Sequence, residues 1–282
     1  MEKKLTKKIF LLGAFLFLIS QFLGIITALN WEKILFCQKI ELKPISLLEF
    51  IFYFFVSTLL FLFFCFLGKI FKKEKDKIFV SLFVLVSLFG MVYFFSPYLD
   101  FLSFFLAGFL IYLWLKKRTV FLNNLCFILG VAGIGGTLAL HFKPKVIIFL
   151  LIILSIYDFI AVYKTKHMVK MAVQMIKSKV ILGLIVPPKI SDFKIDLRNT
   201  NLPGKFLILG GGDVAFPLIL CSSLALENVV FAVILSFFAL IGVLTNFYIL
   251  EKQKTKKPIP ALPLISFFSI LGYFFLKIYL LK

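Results

Sequence analysis

Acidic side chains are scarce in this chain: 13 Asp and Glu stand against 32 Lys and Arg in 282 residues. Histidine occurs twice and cysteine four times, and no two cysteines form a CxxC pair. These shortages leave no spacing for a His/Cys metal cluster and no disulfide framework. Cys65, Cys126 and Cys221 fall within apolar runs, where Cys behaves as a small apolar residue, and Cys37 alone faces away from them. Charged residues of both signs amount to 16%, well short of what the surface of a soluble domain of this size carries. What the chain has instead is apolar length. Hydrophobic residues make up 62%, and the mean hydropathy is +1.07. Runs of about 20 apolar residues recur, each long enough to cross a hydrocarbon core of ~30 Å at ~1.5 Å per helical residue. The bilayer is the solvent that shaped this sequence.

The runs predict an all-α polytopic membrane protein with nine transmembrane helices, at 9–29, 47–68, 78–95, 97–115, 119–142, 146–163, 206–226, 229–250 and 260–280. One membrane domain spans 1–282. Helices one to six run to residue 163, a cytoplasmic loop with an amphipathic segment covers 164–205, and helices seven to nine fill 206–282. The first run follows Lys7 and Lys8 but is too long for a signal-peptide core, and no small-x-small cleavage site follows it. It reads as a retained helix.

The formal net charge of +19 invites a nucleic-acid partner, yet its distribution excludes one. Basic residues number 4 in 1–8, 5 in 69–77, 3 in 116–118, 9 in 164–205 and 4 in 251–259, which is 25 of 32. Alternate loops are thus enriched, the positive-inside pattern. It puts the N-terminus in the cytoplasm and the C-terminus outside, in a multi-pass protein of the cell membrane. The charge sets orientation and attracts anionic lipid headgroups.

Connections are short except for 164–205. There Met168, Met171, Ala172, Met175 and Ile176 recur at helical spacing, with Lys166, Lys170, Gln174 and Lys177 mostly opposite. A basic amphipathic helix of this kind lies in the headgroup plane. Val180 to Val186 is too short to span and reads as a strand or as a segment resting on the bundle. Gly130, Gly133, Gly135 and Gly136 mark a close helix-packing face on the fifth helix.

An ionisable group deep in a membrane helix costs several kcal/mol and needs a reason. Glu49, Asp100, His141 and Lys277 sit near the outer ends of their helices, where side chains reach headgroups and water. His167 lies in the inner loop with no partner of metal-binding type nearby. Asp158 and Asp213 remain. Counting helical rise from the inner ends of helices six and seven puts them at roughly 8 and 10 Å depth, on consecutive antiparallel helices. Two carboxyls side by side in a low-dielectric site cannot both ionise cheaply, so one proton is shared. The ionised partner then takes a proton from water while the protonated one donates to a carbonyl oxygen. A structural polar pair, or two acids facing separate cavities, accounts for the same pattern.

The neighbours of these acids narrow the choice. Gly210, Gly211 and Gly212 precede Asp213, each costing about 1 kcal/mol in a helix relative to Ala, and they allow a local break or close backbone approach. Tyr157 beside Asp158 offers a hydroxyl. Pro258, Pro260 and Pro263 keep the start of the ninth helix extended, at the same inner side.

In order, Tyr157-Asp158, Gly210-Gly211-Gly212-Asp213 and Pro260-Ala261-Leu262 resemble the YD, GxGD and PAL motifs of presenilins and signal peptide peptidases. Pro263 after the PAL resembles presenilin, and the compact loops resemble archaeal presenilin homologues. The resemblance covers nine helices and the long loop. It implies an intramembrane aspartyl protease with Asp158 and Asp213 as catalytic dyad. Tyr157, the three glycines, and Pro260, Ala261 and Leu262 would shape the site. It implies transmembrane-helix substrates and no cofactor, and it leaves the oligomeric state open. The loop lacks a long hydrophilic extension, which argues against autoproteolytic maturation. Two other classes use intramembrane acids. An ion-coupled transporter or cation channel would be favoured by an inverted repeat, which is not evident. Prepilin-type peptidases lack the PAL stretch.

Overall fold

In lipid, backbone polar groups must be satisfied within their own segment, so apolar runs fold as helices. The structure, a computed structural model, describes residues 7–40, 75–165, 167–199, 206–253 and 258–280, with isolated positions 42, 45, 46, 48, 49, 52 and 56. The helices are α1 (Lys7–Cys37), α2 (Lys75–Leu99), α3 (Leu102–Lys116), α4 (Val120–Ala139) and α5 (Pro144–Tyr163). After α6 (His167–Lys177) come α7 (Gly211–Ala225), α8 (Val229–Lys252) and α9 (Leu262–Leu280). Six of them are long and apolar enough to cross a membrane: α1, α4, α5, α8, Ile78–Leu99 of α2 and Leu262–Tyr279 of α9. The helices α3 and α7 are shorter and apolar. The expected second span, 47–68, lies outside the described residues except at 48, 49, 52 and 56, as does most of the basic stretch 69–77.

The helix α4 is the most enclosed span, 72% buried over its most apolar window, and it packs on α1, α2 and α7. Its glycines make that possible. A Cβ on Gly130 would stand 3.0 Å from the Ser87 Cα of α2, and one on Gly136 would stand 2.7 Å from the Gly24 carbonyl of α1. Helices associate closely in lipid through such small residues, because lipid tails are as apolar as Leu. The helix α5 lies at the margin, against α9, α7 and α6.

The expectation of an all-α chain is wrong in one place. Gly183–Val186 (β1) and Leu207–Gly210 (β2) form an antiparallel pair, Gly183 opposite Gly210 and Val186 opposite Leu207. The seventh apolar run therefore begins as a strand, and its helix starts only at Gly211. A short apolar run does not reveal its period, so 206–210 reads equally as helix or strand. The change of state comes at Gly210, extended at φ −61° and ψ 152°, while Gly211 and Gly212 already belong to the helix. Depth counted by helical rise from 206 does not apply to Asp213, because strand residues rise ~3.3 Å each.

The segment between the strands is fastened to the α3–α4 turn. Leu197 N–H donates to the Arg118 carbonyl at 2.8 Å, and Val120 N–H donates to the Ile195 carbonyl at 3.1 Å. Leu197 is buried with Val120, Ile181 and Ile185. Arg198 pairs with Asp196 at 2.7 Å and donates to the Lys116 carbonyl at 2.8 Å. The Arg198 hydrogen bond holds the Asp196 carboxyl below the usual carboxylate range. A depressed carboxylate contributes stability that is present above its unfolded pKa of about 3.9 and lost as pH falls through its lower folded value. The clasp is thus intact at neutral pH and opens only in strong acid. Asp196→Asn should therefore speed tryptic cleavage after Lys194 and Arg198 at pH 7 in the detergent-solubilised protein. Equal cleavage rates for variant and wild type would show that the ion pair does not fasten the loop.

Candidate active site

Four elements converge on the two intramembrane aspartates. The helix α5 carries Asp158, only 4% exposed. The first turn of α7 carries Asp213, half-buried. The helices α5 and α7 pack against each other, and α9 packs against both. Residues 258–261 are irregular, and helix α9 starts at Leu262 with Pro263 in its first turn, as the prolines predict. Leu262 N–H is one of the donors that a helix start leaves without an intrahelical acceptor, and it donates to Asp158 Oδ2 at 3.3 Å. Asp158 is thereby joined to the 260–262 stretch, with Pro260 buried and Ala261 half-buried.

The glycines before Asp213 have separable roles. The Gly211 N–H extends the strand ladder by donating to the Leu182 carbonyl at 3.0 Å. A Cβ at position 210 would stand 2.9 Å from Asp213 Oδ2, so glycine leaves room for the carboxylate against the end of β2. Gly212 is exposed, and a Cβ there would meet only the Phe216 ring, at 3.3 Å. Tyr157 is 57% exposed on the outer side of α5; the structure does not bring its ring into the cluster.

Three buried amides that the sequence reading passed over hold this arrangement. Asn124 of α4 donates to the Ile185 carbonyl at 2.7 Å and accepts from Ile185 N–H at 2.9 Å, fixing β1 on the side away from β2. Alternation along an antiparallel pair then directs the Ile208 N–H and carbonyl away from β1 as well. Gln21 of α1 donates to the Val214 carbonyl at 3.2 Å, one residue past Asp213. Pro217 of α7 has no N–H to give the Asp213 carbonyl four residues earlier, so this first turn is held partly from outside. Asn246 of α8 donates to the Ala261 carbonyl at 2.9 Å. The signal for all three was available: a buried amide inside an apolar run is costly unless it is hydrogen-bonded.

A family model described as signal-peptide peptidase, presenilin aspartyl protease matches residues 14–280, which takes in both aspartates and everything that holds them. The chain belongs to this family. Two solved structures are similar, both described as a presenilin family intramembrane aspartate protease. The one in the C222 space group is 18% identical with a TM-score of 0.63, covering 94% of this chain and 97% of that one. The one in the P2 space group is also 18% identical with a TM-score of 0.56, covering 93% and 94%. At that identity they establish the fold. No match appears among curated proteins. The protein is an intramembrane aspartyl protease, an aspartic endopeptidase in a multi-pass membrane scaffold.

The steric relation between Gly210 and Asp213 yields a clean test. The backbone at Gly210 suits any residue, and the atom a Cβ would crowd is the end of a movable side chain. Gly210→Ala should therefore change stability by less than about 1 kcal/mol. By displacing the carboxylate it should lower turnover by about ten- to a hundredfold. Thermal unfolding and peptide hydrolysis measured on one preparation check both halves; unchanged turnover would show that Asp213 tolerates the shift.

Proposed function

We propose that Asp158 and Asp213 are the catalytic pair and that the enzyme hydrolyses peptide bonds inside the transmembrane helices of membrane proteins or signal-peptide remnants. The observation that carries this reading is the mutual packing of α5, which bears Asp158, α7, which bears Asp213, and α9, with Asp158 tied to the 260–262 stretch. With a proton shared between them, the ionised carboxyl deprotonates a water and the protonated one donates to the scissile carbonyl oxygen. The tetrahedral intermediate then collapses as the leaving nitrogen takes up a proton. No cofactor enters this scheme. Gly210 leaves room for the Asp213 carboxyl, Gly211 and Gly212 open the helix that carries it, and Pro260, Ala261 and Leu262 flank Asp158.

An intact helix shields its peptide bonds, so a substrate must unwind locally before it can be cut. Unwinding is easiest near a helix end, where last-turn carbonyls already lack partners. The outward-facing backbone of β2 at Ile208 offers the released segment an edge to pair with, in the manner of an added strand. The positive-inside pattern supports nine spans in the cell membrane, with the N-terminus cytoplasmic, the C-terminus outside, and basic loops against anionic headgroups. The catalytic end then lies toward the cytoplasm, and preferred substrates have their N-terminus outside.

Asp158→Asn and Asp213→Asn should each abolish hydrolysis of a transmembrane peptide in proteoliposomes while leaving expression and thermal unfolding unchanged. Wild-type activity should fall at both pH extremes, since the pair needs one ionised and one neutral acid. Either variant turning over near the wild-type rate would remove that residue from catalysis.

Cleavage should fall within the cytoplasmic half of the substrate helix and be enhanced by Gly or Pro near the cut. Mass spectrometry of the products reads this directly. Cuts confined to soluble loops or to the outer half would overturn the placement even with both aspartates essential.

A further inference from the structure

The Ala261–Leu262 peptide group is held from both ends. Its N–H donates to Asp158 Oδ2 at 3.3 Å, and its carbonyl accepts from Asn246 Nδ2 at 2.9 Å. One planar, polarisable unit therefore separates the Asn246 amide from the Asp158 carboxyl. The carbonyl also closes the first turn of α9 through Ile265 N–H at 3.3 Å, so the helix start does not depend on Asn246. We infer that Asn246 is a positioning residue for the protease reaction, orienting the Asp158 carboxyl through the Ala261–Leu262 peptide. This rests on the reading of Asp158 as catalytic.

The surroundings of Asn246 support a role beyond packing. It is 5% exposed, and both amide hydrogens can be spent on carbonyls, Ala261 and, at 3.2 Å, Gly242 of its own helix. Its Oδ1 is buried and has no hydrogen-bond partner among the described residues. A half-satisfied buried amide is a poor stabiliser, and an apolar side chain of similar size would serve packing better. Gly242, one turn earlier on the same face, lets α9 close in: a Cβ there would stand 2.6 Å from the Ile265 Cα. Gly242 and Asn246 together form a seat for the first turn of α9, with the amide aimed at the one peptide that touches Asp158. Hydrogen bonds that pass through a polarised unit strengthen one another in a low-dielectric interior, and a small misplacement of a reacting group is felt strongly in rate.

The test compares Asn246→Leu, Asn246→Gln and Asp158→Asn in proteoliposomes with a transmembrane peptide. Asn246→Leu should unfold at or above the wild-type temperature. Its kcat should fall about ten- to a hundredfold with KM within about twofold, and its pH–rate profile should change shape. The acids concerned are Asp158 and Asp213, carried by α7, which packs on α5. Asn246→Gln, which keeps a donor, should recover at least part of kcat and the wild-type profile. An Asn246→Leu enzyme with wild-type kcat and profile overturns the inference, as does loss of kcat that Gln does not relieve or that leaves the pH profile unmoved. If Asn246→Leu fails to fold, Asn246→Ala takes its place with the same readouts: a lowered kcat with an altered profile, both relieved in Asn246→Gln, supports the inference, and wild-type kcat and profile overturn it. Activity retained in Asp158→Asn would instead defeat the catalytic assignment, which separates the two failures.

Discussion

Asn124 meets the backbone of Ile185 with both halves of its amide, accepting its N–H and donating to its carbonyl. A strand among membrane helices has edges whose polar groups lipid cannot satisfy. The strand β1 closes one edge with β2, and on the other it is met by amides of the most enclosed helix, Asn124 on Ile185 and Asn123 on the preceding Ile181 carbonyl. From that pairing the rest of the site follows. Fixing β1 fixes β2, the Gly211 N–H takes its place on the Leu182 carbonyl, and α7 begins there, with Asp213 in its first turn. Remove the amide, and a buried N–H and carbonyl are left unpaired at a cost of about 1–3 kcal/mol each.

Both carboxyls stand at the start of a helix. Asp213 belongs to the first turn of α7, and Asp158, from another helix, accepts the first-turn N–H of α9. Helix starts supply oriented donors that need not reorganise when charge moves. The two acids thus draw on different scaffolds: α7 is set by the sheet, and α9 by its seat on α8. Their relative position depends on these scaffolds agreeing, which fits with small and fixed residues at their junctions, Gly210 and Gly211 where β2 meets α7, Gly242 where α8 meets α9, and Pro260 before α9.

What was legible in the sequence divides by the range of the interaction. Spans announce themselves because the bilayer imposes one length and one polarity on each, and the amphipathic segment because its period is that of a surface helix. The aspartates stand out because an acid in an apolar run is rare, and their ordered neighbours Tyr157, Gly210 to Gly212 and Pro260 to Leu262 make the pairing readable across intervening helices. The strand at 207–210 was hidden, since four apolar residues carry no period and their partner is 21 or more positions away. Asn124, Gln21 and Asn246 were hidden for a different reason. Attention to ionisable groups passes over amides, although an amide buried in lipid obeys the same rule of needing a partner. The glycines of α4 were read correctly as packing, because nothing acidic or basic lies among them.

Among the described residues, the helix that carries Asp158 is covered on one side only. Ile156, Tyr157, Phe159 and Ile160 around it are 42–58% exposed, and its neighbours are α9, α7 and α6. The outward wall of the site is therefore made of lipid-facing aromatic and aliphatic side chains on a marginal helix. A substrate arriving there comes by lateral diffusion, already oriented along the membrane normal, and gives up far less rotational freedom than a solute from bulk water. Its relevant concentration is a number of helices per area of membrane, so diluting the bilayer with lipid slows encounter while adding buffer does not.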